Sequence, residues 1–241
     1  MITLIVSDIH LGSYFNRAAD LKAFLGSVQF DRLIILGDLL DRPSFEDLSD
    51  GEWSFLDYLR LLARHREIIW VEGNHDAGLH EEIENRLEID ATKQFEWKVN
   101  GRKLLALHGH QFDKYSRNRS VLARYAAHVY GFLRKVDLTI DSEIFHKICF
   151  ENRAWKYSSD LVNTAALEYA GDENANIIFC GHTHRAAYVE HEGRHYFNTG
   201  CWSDRHCHYV LVDDDEVRLE KFDNSCMLKR QLMNYEYEGA V

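Results

Sequence analysis

Ile2-Thr3-Leu4-Ile5-Val6 runs directly into Ser7-Asp8-Ile9-His10-Leu11-Gly12. A short aliphatic, β-branched run that ends in an acid, a histidine and a glycine reads as a buried strand. Its carboxyl end presents Asp8 and His10, two side chains of types that ligate metals. Alone the pair carries little, because polar residues after a strand most often begin a loop. Its meaning depends on whether other strands end in the same way.

They do. Leu21, Phe24, Leu25 and Val28 recur at helical spacing, and the strand Arg32-Leu33-Ile34-Ile35-Leu36 then ends in Gly37-Asp38-Leu39-Leu40-Asp41. Pro43 and the acidic stretch from Glu46 to Glu52 read as a loop, and Phe55, Leu56, Leu59, Leu62 and Ala63 line a second helix. Ile68-Ile69-Trp70-Val71 follows and terminates in Gly73-Asn74-His75-Asp76. These three strand-and-helix steps imply a parallel core with right-handed crossovers, whose ligands gather at the strand carboxyl ends.

From Phe95 the texture changes. Glu96 to Val99 and Lys103 to Leu107 flank the Asn100-Gly101 turn as a hairpin, and its second strand runs into His108-Gly109-His110. Ile177-Ile178-Phe179-Cys180 ends in Gly181-His182-Thr183-His184. Ala187 to Val189 and His195 to Phe197 flank Glu192-Gly193, while Tyr209 to Val212 and Val217 to Leu219 flank an acidic turn at 213–216. A second, mostly antiparallel sheet is the expectation, with the tail from Asp223 as a short helix or extended cover.

Residues 112–172 break this strand-rich pattern with helical periodicity; Leu122, Tyr125, Ala126, Val129, Tyr130 and Leu133 share one face. Lys114, Arg117, Arg119, Arg124, Arg134 and Lys135 lie between Asp113 and Asp137 with no acid among them, against a net charge of −11 for the whole chain. That overall charge argues against a broad nucleic-acid surface while leaving room for a local anionic ligand. Five cysteines without a C-x-x-C pair point to neither a disulfide framework nor a zinc ribbon, and hence to a reducing cytoplasm. Residues 1–12 lack the pattern of a signal peptide and no apolar stretch reaches membrane-spanning length, so membrane contact is expected to be peripheral.

The strand ends together supply Asp8, His10, Asp38, Asn74, His108, His182 and His184, all nitrogen or oxygen donors. Mixed imidazole, carboxylate and carboxamide ligands suit Mn, Fe, Zn or Co. Seven protein ligands exceed what one catalytic ion with an open position takes, so two divalent ions sharing Asp38 is the economical arrangement. Each residue has a bland reading of its own: Asp38 or Asp41 as a helix cap, Asn74 in an Asx turn, His108 as a satisfied interior imidazole. Five strand-end coincidences in one chain do not.

The ordered blocks D-I-H, G-D-L-L-D, G-N-H-D, H-G-H and G-H-T-H resemble the calcineurin-like metallophosphoesterase superfamily over positions 8 to 184. The resemblance implies an α/β fold, a four-layer αββα sandwich of two mixed β-sheets, forming one domain over 1–241 with a helical lid at about 112–172. It implies one ion on Asp8, His10, Asp38 and His184, and a second on Asp38, Asn74, His108 and His182, with manganese the first choice. His75 then stands beside the scissile phosphate as a proton or hydrogen-bond donor, oriented by Asp76. Two such cations, roughly 3.5–4 Å apart, acidify a bridging water to a hydroxide that attacks phosphorus and neutralise the phosphoryl oxygens.

The helical excursion and compact size look like the UDP-2,3-diacylglucosamine pyrophosphatase branch of lipid A synthesis. By that resemblance Lys114, Arg117, Arg119, Arg124 and His110 face a diphosphate or an anionic membrane surface, and the apolar stripe accepts acyl chains. That branch commonly has G-N-R-D and H-G-D where this chain has His75 and His110. Two other readings therefore stay open: a general phosphodiesterase or phosphatase for a small soluble nucleotide or diester, and a non-catalytic metal-binding scaffold.

Overall fold

The computed structural model describes residues 1–113, 153–203 and 206–223. The basic residues Lys114, Arg117, Arg119 and Arg124, the apolar stripe from Leu122 to Leu133, and the tail beyond Asp223 lie outside the described residues.

The expected strands form with alternating faces. β1 (Thr3–Val6), β2 (Arg32–Leu36) and β3 (Glu67–Val71) lie side by side and parallel. Leu4, Val6, Leu33, Ile35, Ile68 and Trp70 pack outward against α1 (Ala18–Ser27), α2 (Asp50–Ala63) and α3 (His80–Leu87). The alternate residues Ile5, Ile34, Leu36, Ile69 and Val71 point the other way, into a layer shared with Leu104, Ala106, Ile177, Phe179 and Phe197. Period-two alternation with both faces apolar is what a strand buried on two sides requires.

The first sheet has the order β11-β10-β1-β2-β3-β4, with β4 at Asp90–Thr92, β10 at His208–Val212 and β11 at Val217–Lys221. The second has the order β5-β6-β7-β9-β8: β5 Phe95–Val99, β6 Arg102–Ala106, β7 Ile177–Cys180, β8 Ala187–His191 and β9 Arg194–Asn198. On its outer face Leu105, Ile178, Cys180 and Tyr196 bury against Ala166, Leu167 and Ala170 of α4 (Arg153–Asp172). The layers are thus helix, sheet, sheet, helix, a four-layer sandwich of two mixed sheets.

Three expectations need correction. The hairpin β10–β11 joins the first sheet, where β10 runs antiparallel to β1, and the second sheet pairs β6 with β7 and β7 with β9 in parallel. The stretch from Glu46 to Glu52 is not wholly loop, because α2 begins at Asp50. Ser49 caps it, accepting from the Glu52 amide while the Glu52 carboxylate accepts from the Ser49 amide. Finally, α3 and β4 add a further parallel crossover between His80 and Thr92, where no element was expected.

Candidate metal centre

The carboxyl ends of β1, β2 and β3 from one sheet and of β6 and β7 from the other meet at one edge of the sandwich. The loops after β1 and β2 are joined by backbone hydrogen bonds from Asp8 to Gly37 O (3.2 Å), His10 to Asp38 O (2.9 Å) and Leu11 to Leu39 O (2.8 Å). Asp8 then reaches across to the other sheet, where its Oδ2 accepts from the His182 amide at 3.0 Å. Asp38 Oδ1 likewise accepts from the His75 amide at 2.9 Å. Carboxylates tied by one oxygen have a fixed direction for the other.

Five of the seven candidate ligands, Asp8, His10, Asp38, His182 and His184, have φ between 51° and 65°. Left-handed backbone is uncommon for any residue with a Cβ and tends to cluster where the surroundings hold a functional side chain in place. Two glycines show how tight the packing is. A Cβ on Gly73 would strike the Asp38 carboxylate and amide, and one on Gly181 would strike Asp8 Oδ2 and the Ser7 side chain. Behind the G-H-T-H loop, buried Asn198 donates to Gly181 O (2.7 Å) and to Thr183 Oγ1 (3.1 Å), so the Asn198-Thr199-Gly200 turn braces this loop.

The side chains form two overlapping groups. In the first, His184 Nε2 lies 3.1 Å from Asp8 Oδ1 and 3.2 Å from His10 Nε2, which is itself 3.8 Å from Asp8 Oδ1 and from Asp38 Oδ2. Asp8 Oδ1 is buried and close to His184, yet has no aligned hydrogen bond among the described residues. In the second, fully buried His108 donates from Nδ1 to Leu36 O at 2.7 Å, since a carbonyl only accepts. Its Nε2 then converges with Asn74 Oδ1 (3.2 Å) and Asp38 Oδ2 (3.3 Å). Asp38 faces both groups. Three acceptor atoms around one point, those of Asp38 and His108 on buried side chains, call for a positive charge there, and their nitrogen and oxygen chemistry fits a borderline divalent cation.

Without a metal, protons must supply that charge. Burial opposes charging of His108, but the Asp38 carboxylate beside it, with Asp8 further off, lifts its pKa to about 10. Burial likewise pushes Asp38 up, yet His108, then His10 and His75, hold it well below the usual carboxylate range. Asp8 is also lowered, its burial outweighed by His184 and then His108. His10 is raised against its burial by Asp41 first and then by Asp38 and Asp8.

The remaining expected residues divide. The His182 ring packs edge-on to His108, with centroids 5.3 Å apart, but its Nε2 faces Asp113 Oδ2 at 3.1 Å. The His110 ring lies 5.5 Å from His108, and burial, with His108 and His182 as neighbours, lowers its pKa to about 4. His75 is 35% exposed at the side chain, with Nε2 4.0 Å from Asp38 Oδ2 and its ring edge-on to His10. Among the described residues no hydrogen bond joins the Asp76 carboxylate to the His75 ring. The Asp76 carboxylate accepts from the backbone amides of Leu39 (2.7 Å), Leu40 (3.3 Å) and Gly73 (3.0 Å), locking the β2 loop to the β3 loop. Burial, with the charge of Asp38 added, raises its pKa to about 6.

Asp41 does the orienting. Its carbonyl accepts from His75 Nδ1 at 2.8 Å, and its carboxylate lies 3.3 Å from His10 Nδ1. The sequence displayed this acid inside G-D-L-L-D, three residues after Asp38, where a helix cap explained it equally well. Asp113 and Glu52 also went unread, because their contacts in the fold span 69 and up to 40 residues.

A sandwich of this topology with carboxylates and imidazoles gathered at its strand ends defines the metal-dependent phosphoesterases. The sequence model of the calcineurin-like phosphoesterase family matches residues 1–186, and the chain belongs to that family; it is a metallophosphoesterase, a hydrolase. A relative from Shewanella piezotolerans, a UDP-2,3-diacylglucosamine hydrolase, is 27% identical over 91% of this chain and 97% of its own. Among solved structures, an archaeal phosphodiesterase superposes with a TM-score of 0.53 at 14% identity, covering 92% of this chain and 100% of its own. Vps29 from Chaetomium thermophilum superposes at 0.51 with 14% identity over 92% and 96%. These structural likenesses show the fold. No helix among the described residues is long and apolar enough to cross a membrane.

Proposed function

We propose that the protein hydrolyses a phosphoester or pyrophosphate bond with two divalent cations, one held by Asp8, His10, Asp38 and His184 and the other by Asp38, Asn74, His108 and His182. The observation that carries this reading is the convergence of Asp38 with both groups of donors at the edge where the two sheets meet. When bound, the cations supply charge neutralisation at the phosphoryl oxygens and an acidified water, with manganese the first choice.

The chain's own residues do the rest. His75 has Nδ1 committed to the Asp41 carbonyl, so Nε2 is the ring atom left to meet the substrate. Protonated there, it donates to the leaving oxygen, while Asp76 keeps the loop carrying it against the β2 loop. His110, partly exposed and next to His108, contributes a contact at the substrate side. The preferred substrate is a nucleotide-sugar lipid resembling UDP-2,3-diacylglucosamine, a reading supported by the Shewanella relative's match over nearly the whole of both chains. Within the 112–172 stretch α4 packs on the second sheet, and the part before it then acts as the lid, with Lys114, Arg117, Arg119 and Arg124 toward the diphosphate or an anionic membrane surface.

A substrate panel tests this. With Mn²⁺ present, turnover of UDP-2,3-diacylglucosamine should exceed that of simple nucleotide diphosphates and of bis-p-nitrophenyl phosphate; equal rates on the soluble compounds would favour a general phosphodiesterase. His75→Ala should lower kcat by about 10²–10⁴-fold while binding the same number of ions, and undiminished kcat would remove His75 from the reaction.

A further inference from the structure

Asp113 lies outside every sequence block that carries the family resemblance, yet its Oδ2 is 3.1 Å from Nε2 of His182. The pair is enclosed, with the His182 side chain 12% exposed and that of Asp113 18%. An ionised carboxylate accepts and does not donate, so the proton of this hydrogen bond sits on Nε2. In a neutral imidazole the lone pair is then on Nδ1.

The rest of His182 is fixed independently. Its amide donates to Asp8 Oδ2, its backbone is left-handed with φ 65°, and its ring stands edge-on to His108. His108 Nε2 is the atom that meets Asp38 Oδ2 and Asn74 Oδ1. Asp113 reaches His182 because the H-G-H loop turns back on itself: Gly109 takes φ 104°, residues 110–112 make one 3-10 turn, and the Asp113 amide returns to His110 O at 3.3 Å. One loop thereby delivers His108 to the cluster and Asp113 to the neighbouring imidazole. The same division of labour recurs at His108, whose Nδ1 is held by Leu36 O, and at His10, whose Nδ1 faces Asp41. In each ring one nitrogen is assigned to an acceptor and the other is left for the centre.

We infer that Asp113 is a positioning residue for the second cation: it accepts from Nε2–H of His182 and so fixes the tautomer in which Nδ1 is the metal ligand. A carboxylate behind a ligating imidazole sets its tautomer and ring orientation and raises its basicity. The inference rests on the two-cation reading above and deepens it.

The test uses the full chain, stripped of metal with a chelator and titrated with Zn²⁺ by calorimetry. Wild type should take two ions per chain. Asp113→Ala should weaken one binding step by about 10–100-fold and leave the other within about twofold. Long-range ¹H–¹⁵N spectra of the stripped protein, with His182 signals identified by their loss in His182→Gln, should show the Nε2–H tautomer. Asp113→Ala should give a tautomer mixture, and Asp113→Asn, which keeps an acceptor oxygen, should restore the single form. Two unchanged binding steps in Asp113→Ala, or an Nδ1–H tautomer in wild type, would overturn the role of Asp113 alone. Fewer than two ions in wild type would overturn the two-cation reading and this inference with it. If the alanine variant does not fold, the wild-type tautomer decides.

Discussion

His108 shows how one atom can serve a proton or a metal. Its Nδ1 is committed to Leu36 O, so anything bound between Asp38 and Asn74 must bind at Nε2. In the metal-free protein that is a proton, held with a pKa of about 10 against an ordinary 6.5. A raised histidine pKa means that the folded state binds more protons than the unfolded state between those two values, so stability falls as pH rises through that window. The chelator-treated protein should therefore show urea midpoints that decline from pH 7 toward pH 10. With metal bound, Nε2 has no proton to lose and this contribution to the decline should vanish. The same competition predicts that metal binding at pH 8 releases protons. Calorimetry in buffers of different ionisation enthalpy measures the number, and a value of zero would contradict the assignment. Gly73 makes a steric counterpart. A methyl there meets the amide and carboxylate of Asp38, which the β2 loop cannot withdraw. Gly73→Ala should thus cost at least about 1–3 kcal/mol by denaturation and weaken metal binding as well.

At the scale of elements, the N-terminus of α2 does more than begin a helix. Ser49 and Glu52 form the capping box, and Glu52 also accepts from the Gly12 amide and from Asn16 Nδ2. It thereby ties the helix to the loop that carries His10. Ser49→Ala removes one cap and should cost about 1 kcal/mol in urea unfolding. Glu52→Ala strands several partly buried donors at once and should cost more, about 2–4 kcal/mol, with a loss of metal affinity that Ser49→Ala does not share. Equal effects would show that the carboxylate acts only as a cap. The Ser49-x-x-Glu52 spacing was visible in the chain, but the surrounding acids looked like loop. Strand ends were easier to read, because aliphatic runs such as Leu33 to Leu36 stop abruptly at a glycine and an acid. The destination of the β10–β11 hairpin was not legible: β10 pairs with β1 some 200 residues earlier, and a hairpin's own alternation does not say which sheet it joins. For the same reason G-D-L-L-D revealed Asp38, while the task of Asp41 needed the fold to bring His10 and His75 to it.

For the whole molecule, the centre is one place where polar groups as well as apolar packing join the two sheets. Asp8, Asp38 and His10 come from the loops after strands of the first sheet and His108 and His184 from the loops after β6 and β7 of the second, so cations bound among them as proposed would link both halves of the sandwich. A ligand that binds only the folded state stabilises it by about 2.7 kcal/mol when free ligand is 100 times Kd. In a chain of this length that corresponds to roughly 5–10 °C in Tm for each ion. Chelation should lower Tm by at least one such step, and Mn²⁺ should restore it. Asp38 faces both groups of donors, so Asp38→Asn should abolish most of the Mn²⁺-dependent rise, whereas His184→Gln, confined to one group, should remove about half of it. If both variants lost the same share, the donors would form a single site, and the two-cation arrangement would give way to one ion surrounded by second-rank partners.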